Sequence, residues 1–242
     1  MNYIIKINKK LWLLFAFLQF TIFTETTALS PNVFGVKGGL SFSYLWGDGI
    51  DALGDRDRVE VFGIDKINNG SLLFVNGGVF LRFDVIPNFL SIQPELLYIR
   101  QGQNWKLHDV NGKTSVSVYT DYLTLPVAAK LIIPFESVPL SSSVYAGPAL
   151  SLKLQSRAKN IASIPEIHRH SMQNWGKNIG SRVNPLDLGL IAGFNVDIAS
   201  VPGPGEIVVD LRFQWGFIEV FNINEDFRNY SFQIMAGYQI NL

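Results

Sequence analysis

The stretch Tyr230-Ser-Phe-Gln-Ile-Met-Ala-Gly-Tyr-Gln-Ile-Asn-Leu242 alternates with period two. Phe232, Ile234, Ala236, Tyr238, Ile240 and Leu242 form one row, and Ser231, Gln233, Met235, Gly237, Gln239 and Asn241 form the other. Successive side chains of a β-strand point to opposite faces, so this strand divides an apolar environment from a more polar one. In a soluble fold the apolar row needs a second layer of structure to cover it. In a bilayer, lipid covers it and the polar row lines a lumen. The pattern predicts a membrane-spanning strand.

The same alternation recurs upstream and predicts strands over 34–46, 72–84, 89–101, 119–133, 143–154, 186–198 and 207–217, eight with the last. It is cleanest over 207–217, where Ile207, Val209, Leu211, Phe213, Trp215 and Phe217 oppose Asp210, Arg212 and Gln214. Pro94 falls mid-strand, and because it lacks an N–H a bulge or a gap in the ladder is expected there. The connections before 72, over 102–118, over 155–185 and before 230 are long, and the three between them are short. All long connections then lie at one end. An even strand count with that asymmetry predicts an all-β, eight-stranded antiparallel up-and-down transmembrane β-barrel. A soluble ligand-carrying barrel has its apolar row inside, the reverse of this arrangement.

The charges sharpen the expectation. Lys37, Arg82, Asp84, Glu95, Lys130, Lys153, Asp187, Asp197, Asp210 and Arg212 lie within strands on the row opposite the apolar one. An Arg or Lys at the lipid midplane costs roughly 2–4 kcal/mol, which sorts such residues inward. Five are basic and five acidic, which predicts a lumen charge network of internal ion pairs rather than an ion-selective tunnel. Eight strands enclose an interior that side chains just fill, so the lumen is expected to be plugged. Tyr44, Trp46, Tyr98, Tyr122, Trp215 and Phe217 fall near the long-loop end, and Phe34, Phe83, Phe89, Phe135 and Tyr238 near the other. Two such girdles match the two bilayer interfaces.

Composition agrees. Lys+Arg and Asp+Glu are 20 each in 242 residues, a balance that argues against nucleic acid as a partner. With no cysteine there are neither disulfides nor thiolate metal sites. Residues 1–28 read as a signal peptide: Lys6, Lys9 and Lys10 precede an apolar stretch over 11–23, and Thr26-Thr27-Ala28 offers small residues for cleavage. Residues 29–242 are then the barrel domain.

Several phrases resemble one family. Gly35-Val-Lys-Gly-Gly-Leu-Ser-Phe-Ser43, Ile92-Gln-Pro-Glu-Leu-Leu-Tyr98, Tyr122-Leu-Thr-Leu-Pro-Val-Ala-Ala-Lys130, Tyr145-Ala-Gly-Pro-Ala149, Asp187-Leu-Gly-Leu-Ile-Ala-Gly193 and Gly237-Tyr238 follow in the order found in the PorT-like outer-membrane β-barrel family of Bacteroidetes-type bacteria. The resemblance implies an integral barrel of the Gram-negative cell envelope, located in the cell outer membrane. Most members have no assigned activity, and one branch is associated with protein secretion. Chains of this kind usually end in Phe, where this one has Leu242.

Function is read as non-enzymatic: structural, adhesive or secretion-accessory through long extracellular loops. The partners expected are outer-membrane lipid and envelope or secretion-system proteins, with no cofactor, no metal and no catalytic residue. The alternative is a lipid- or lipopolysaccharide-modifying enzyme using Glu166, His168, His170 and Ser171 in the longest loop, where two histidines beside a carboxylate and a serine have the chemistry for zinc or for a nucleophile. The commoner reading of such a cluster is a solvated loop with incidental histidines. His108 stands alone in another loop, and Asp55-Arg56-Asp57-Arg58 reads as a solvated run with local pairing.

Overall fold

The computed structural model describes residues 30–47, 64–109, 112–134, 140–159, 179–199, 203–221 and 227–242. Residues 1–28, 55–58, 166–171 and Phe135 therefore lie outside the described residues, and with them the signal peptide and the two loop clusters. Residues Pro31–Leu242 form one compact unit.

Among the described residues nine strands follow in order: β1 (Val33–Trp46), β2 (Ile64–Gly70), β3 (Leu72–Ile86), β4 (Leu90–Asp109), β5 (Gly112–Pro134), β6 (Leu140–Lys159), β7 (Leu186–Ala199), β8 (Gly205–Gly216) and β9 (Arg228–Asn241). β2 and β3 are one barrel strand interrupted at Ser71. β2 pairs with the upper part of β4, and β3 pairs with its lower part. Around the ring the order is β1-β3-β4-β5-β6-β7-β8-β9, and β9 pairs back onto β1. Every ladder is antiparallel. The barrel is closed and eight-stranded, so none of its long strands is left as an edge.

Burial alternates as the sequence predicts. Along β1, Val36, Leu40, Phe42, Tyr44 and Trp46 are exposed, while Lys37, Ser41, Ser43 and Leu45 are buried. At the β1–β9 seam the backbones approach closely: a Cβ on Gly39 would collide with the carbonyl oxygen of Ile234. The short β3–β4 turn has Asn88 at φ 60°, left-handed backbone that asparagine tolerates. At Pro94 the ladder opens without changing register: β3 pairs through Phe80↔Glu95 and resumes at Phe83↔Ile92, and β5 pairs through Pro94↔Val127 and resumes at Leu97↔Thr124.

Two expectations fail. The segment 102–118 is not a loop. It continues β4 and β5 into a tall hairpin joined over 110–111, and β2 rises beside it. Neither row is consistently apolar here, with Gln103 beside Val118 on the inner row and Asn104 and Lys106 on the outer, so the period-two signal fades. Tyr122 is not in the aromatic girdle. Leu125 and Val127 point outward on β5, so Tyr122 points inward, is buried, and accepts a hydrogen bond from Asn229 Nδ2 at 3.2 Å.

Candidate functional site

Four of the ten charges expected inside meet at mid-barrel. Lys37 on β1 donates to Glu95 Oε1 at 2.8 Å and to Asp210 Oδ2 at 2.7 Å. Arg212 on β8 holds both oxygens of Glu95 in a bidentate pair, each at 2.8 Å, and reaches Asp210 Oδ2 at 3.2 Å. Each cation thus touches both carboxylates, and the quartet is neutral. Tyr145 on β6 completes it: its hydroxyl donates to Asp210 and accepts from Arg212 Nε at 2.9 Å, and the guanidinium lies 5.2 Å from its ring. All five side chains are buried, Arg212 with 0% exposure. Burying ions is costly unless they are paired and hydrogen-bonded, and here every one is.

Strand order explains what this does. Three strands separate β4 from β8 in either direction around the ring, so the Glu95–Arg212 pair crosses the lumen at its full width. Gln93 donates to Glu95 at 2.7 Å and accepts from Lys130 Nζ at 3.1 Å. Lys130 also donates to Asn195 at 2.7 Å. Below, toward the short turns, Arg82 pairs with Asp197 at 3.4 Å and with Asp84 at 3.5 Å. Above, Gln233 links Asn76 at 3.2 Å and Gln214 at 3.1 Å. Asp187 stands apart from the quartet and accepts from Asn229 at 2.9 Å.

The mouth is different in kind. Leu45, Val118 and Ala158 on the inner row pack with Ile179, Val183, Val220, Phe221 and Phe227 into an apolar cluster, with Trp105 against it. Backbone bonds hold these segments together: Asn184 N to Val220 O at 2.9 Å, Val220 N to Phe227 O at 2.6 Å and Ile179 N to Ser156 O at 3.3 Å. Lys153, expected in the charge network, instead donates to the carbonyls of Gly180 and Val183 and ties that segment down. Sequence reading missed this cluster because Ile179, Val183, Val220, Phe221 and Phe227 come from connections with no periodicity.

It also missed two strand charges that break the inward rule. Arg100 and Asp121 face each other across β4 and β5 on the outward row. Arg100 pairs with Asp121 through Nε and also through Nη2 at 3.2 Å, and donates to Tyr98 Oη at 3.2 Å. Tyr98 is itself outward, so parity alone places Arg100 outside.

The family model described as an outer membrane protein beta-barrel domain matches residues 34–222, more than half of the chain, and the chain belongs to that family. It is a protein of the outer membrane. No curated protein matches it. Among solved structures, the chain is similar to neisserial surface protein A (14% identity, TM-score 0.43, covering 86% of this chain and 97% of that one). It is similar as well to outer membrane protein W of E. coli (12%, TM-score 0.38, 88% and 100%). A third is Ail, the attachment invasion locus protein of Yersinia pestis (12%, TM-score 0.36, 87% and 100%). Likenesses at this level say nothing about activity.

Proposed function

We propose that this member of the outer-membrane β-barrel family carries out no chemistry. It is a plugged, non-conducting barrel that displays its long-loop end at the cell surface, in a structural, adhesive or secretion-accessory role. The observation that carries the reading is the Glu95–Arg212 pair spanning the lumen inside a neutral, hydrogen-bonded quartet. An ion crossing at that level would have to break a desolvated pair, and the apolar cluster at the mouth adds a second barrier. The outward orientation of the long-loop end follows the general habit of bacterial barrels. The closer identity as a PorT-like barrel rests on the phrases over 35–43 and 122–130, and the secretion-accessory role goes with it.

The test is a planar bilayer recording on the refolded, heat-modifiable protein. The expected result is no discrete single-channel current. Steady unitary currents from the unaltered chain would overturn the plugged reading.

A further inference from the structure

The outer wall is not uniform at the level where the apolar band ends. On β8, β9 and β1 the outward residues there are Trp215, Tyr230, Tyr44 and Trp46, a contiguous aromatic surface with Tyr44 and Tyr230 rings 4.6 Å apart. Half a turn away, on β4, β5 and β6, the outward apolar residues Tyr98, Leu123 and Leu152 lie side by side in the ladder, with Leu154 exposed just above Leu152. The next outward row is Arg100, Asp121 and Gln155, and the one above it is Gly102, Tyr119 and Arg157. Lys106 lies two outward rows further up β4 and is exposed.

Two features show that this patch is built. Arg100 is fixed between rings, 4.7 Å from Tyr119 and 5.7 Å from Phe74, while Asp121 grips it and Gln155 in turn donates to Asp121 at 2.6 Å. In addition, β6 carries a bulge: Tyr122 pairs with Lys153 but Asp121 pairs with Gln155, leaving Leu154 as an extra residue. A bulge re-aims the side chains beyond it. Were the ladder regular, Leu154 would pair with Asp121, and Gln155 and Arg157 would point into the lumen. With the bulge they point outward, and Ser156 and Ala158 are buried instead.

Among the described residues the charge is unbalanced. Arg100, Arg157 and Lys106 face one carboxylate, Asp121, already taken by Arg100. Arg157 donates to the side-chain Oε1 of Gln155 at 2.9 Å and has no carboxylate partner among the described residues. Such a site, with two cations to spare and aliphatic side chains directly below, has the layout of an anionic lipid: headgroup phosphate above, acyl chains along the wall.

We propose that the outward patch of Arg100, Arg157 and Lys106 on β4 and β6 binds the phosphate groups of an outer-leaflet lipid headgroup, with the acyl chains against Leu123, Leu152 and Leu154. Continuity with the apolar band favours a lipid-borne phosphate over a soluble one. The inference rests on the outward orientation of the long-loop end proposed above. Labelling of Asn104→Cys on intact cells reads that orientation separately.

The experiment is native mass spectrometry of the detergent-solubilised full barrel titrated with bis-phosphorylated lipid A, dephosphorylated lipid A, or inorganic phosphate as competitor. The unaltered chain should retain the phosphorylated lipid. The double variant Arg157→Gln/Lys106→Gln should retain it roughly tenfold less or worse, since bonds to charged groups dominate such affinities. Arg157→Lys should restore part of the loss, and Arg228→Gln on the opposite wall should change nothing. Heat-modifiable migration confirms that each variant is folded. Equal retention by the double variant, or equal retention of dephosphorylated lipid, would overturn the proposal. Displacement by inorganic phosphate at the lipid's own concentration would also overturn it, because the site would then not need a lipid.

Discussion

Two arginines of this barrel have nearly the same surroundings and opposite situations. Arg212 grips Glu95 with two nitrogens and lies 5.2 Å from the Tyr145 ring. Arg100 grips Asp121 with two nitrogens and lies 4.7 Å from the Tyr119 ring. The first pair joins β8 to β4 across the lumen and is shut away from water, whereas the second joins neighbouring strands on the outer wall and leaves the Arg100 side chain 32% exposed. One is a cross-brace between walls that share no ladder. The other is a cross-strand pair beside a ladder that holds without it. The comparison teaches that the row does not decide where a charge is tolerated. Depth in the membrane does: an outward arginine is acceptable once it clears the apolar band.

The largest expected effect comes from breaking the inner pair on one side. Arg212→Leu or Asp210→Leu should destabilise the barrel by roughly 3–5 kcal/mol, since each leaves an opposite charge buried and unpaired. The double change Arg212→Leu/Glu95→Leu should cost less than either single one, because Lys37 and Asp210 still neutralise each other. Urea titration of folding in lipid vesicles measures all of these. Additive losses in the double variant would mean that the quartet does not act as a unit.

Next in size is the outer row at depth. Leu211→Arg or Phe213→Arg, both exposed beside lipid on β8, should cost roughly 2–4 kcal/mol if near the midplane. Nitroxides at Leu211 and Phe213 should show high oxygen accessibility and those at Arg212 and Gln214 low. An inverted alternation would put the apolar row inside.

The smallest effect belongs to the outer pair. Arg100→Leu should cost less than Arg212→Leu, roughly 1–3 kcal/mol, because Arg100 is part-exposed while Asp121 is left buried with Gln155 still donating to it. Added salt should shrink that loss while leaving the Arg212→Leu loss unchanged, because exposed pairs are screened and buried ones are not. A salt-insensitive loss of several kcal/mol at Arg100 would erase the distinction between the two arginines.

How much of this was legible in the sequence can be followed at the same residues. Period two assigned Arg212 and Glu95 to the inner row correctly, and by the same parity Arg100 was outward beside Tyr98. The step that failed was treating the end of each apolar row as the end of the strand. β4 runs to Asp109 and β5 begins at Gly112, in a stretch that carries no amphipathic signal because polar and apolar residues mix on both rows. The bulge at Leu154 was equally hidden, since one extra residue leaves no mark in composition and only the pairing with β5 reveals it.

The amino-acid sequence by itself determined that this chain crosses a membrane as strands, how many cross, and which side chains face lipid. Each of those follows from local alternation, which lipid and lumen impose residue by residue. Which charge meets which was decided only by closure. Glu95 and Arg212 are 117 residues apart, and nothing in either neighbourhood names the other. Shear and strand order set them at one height on opposite walls, and because both side chains are buried there, neither charge is tolerated without the other.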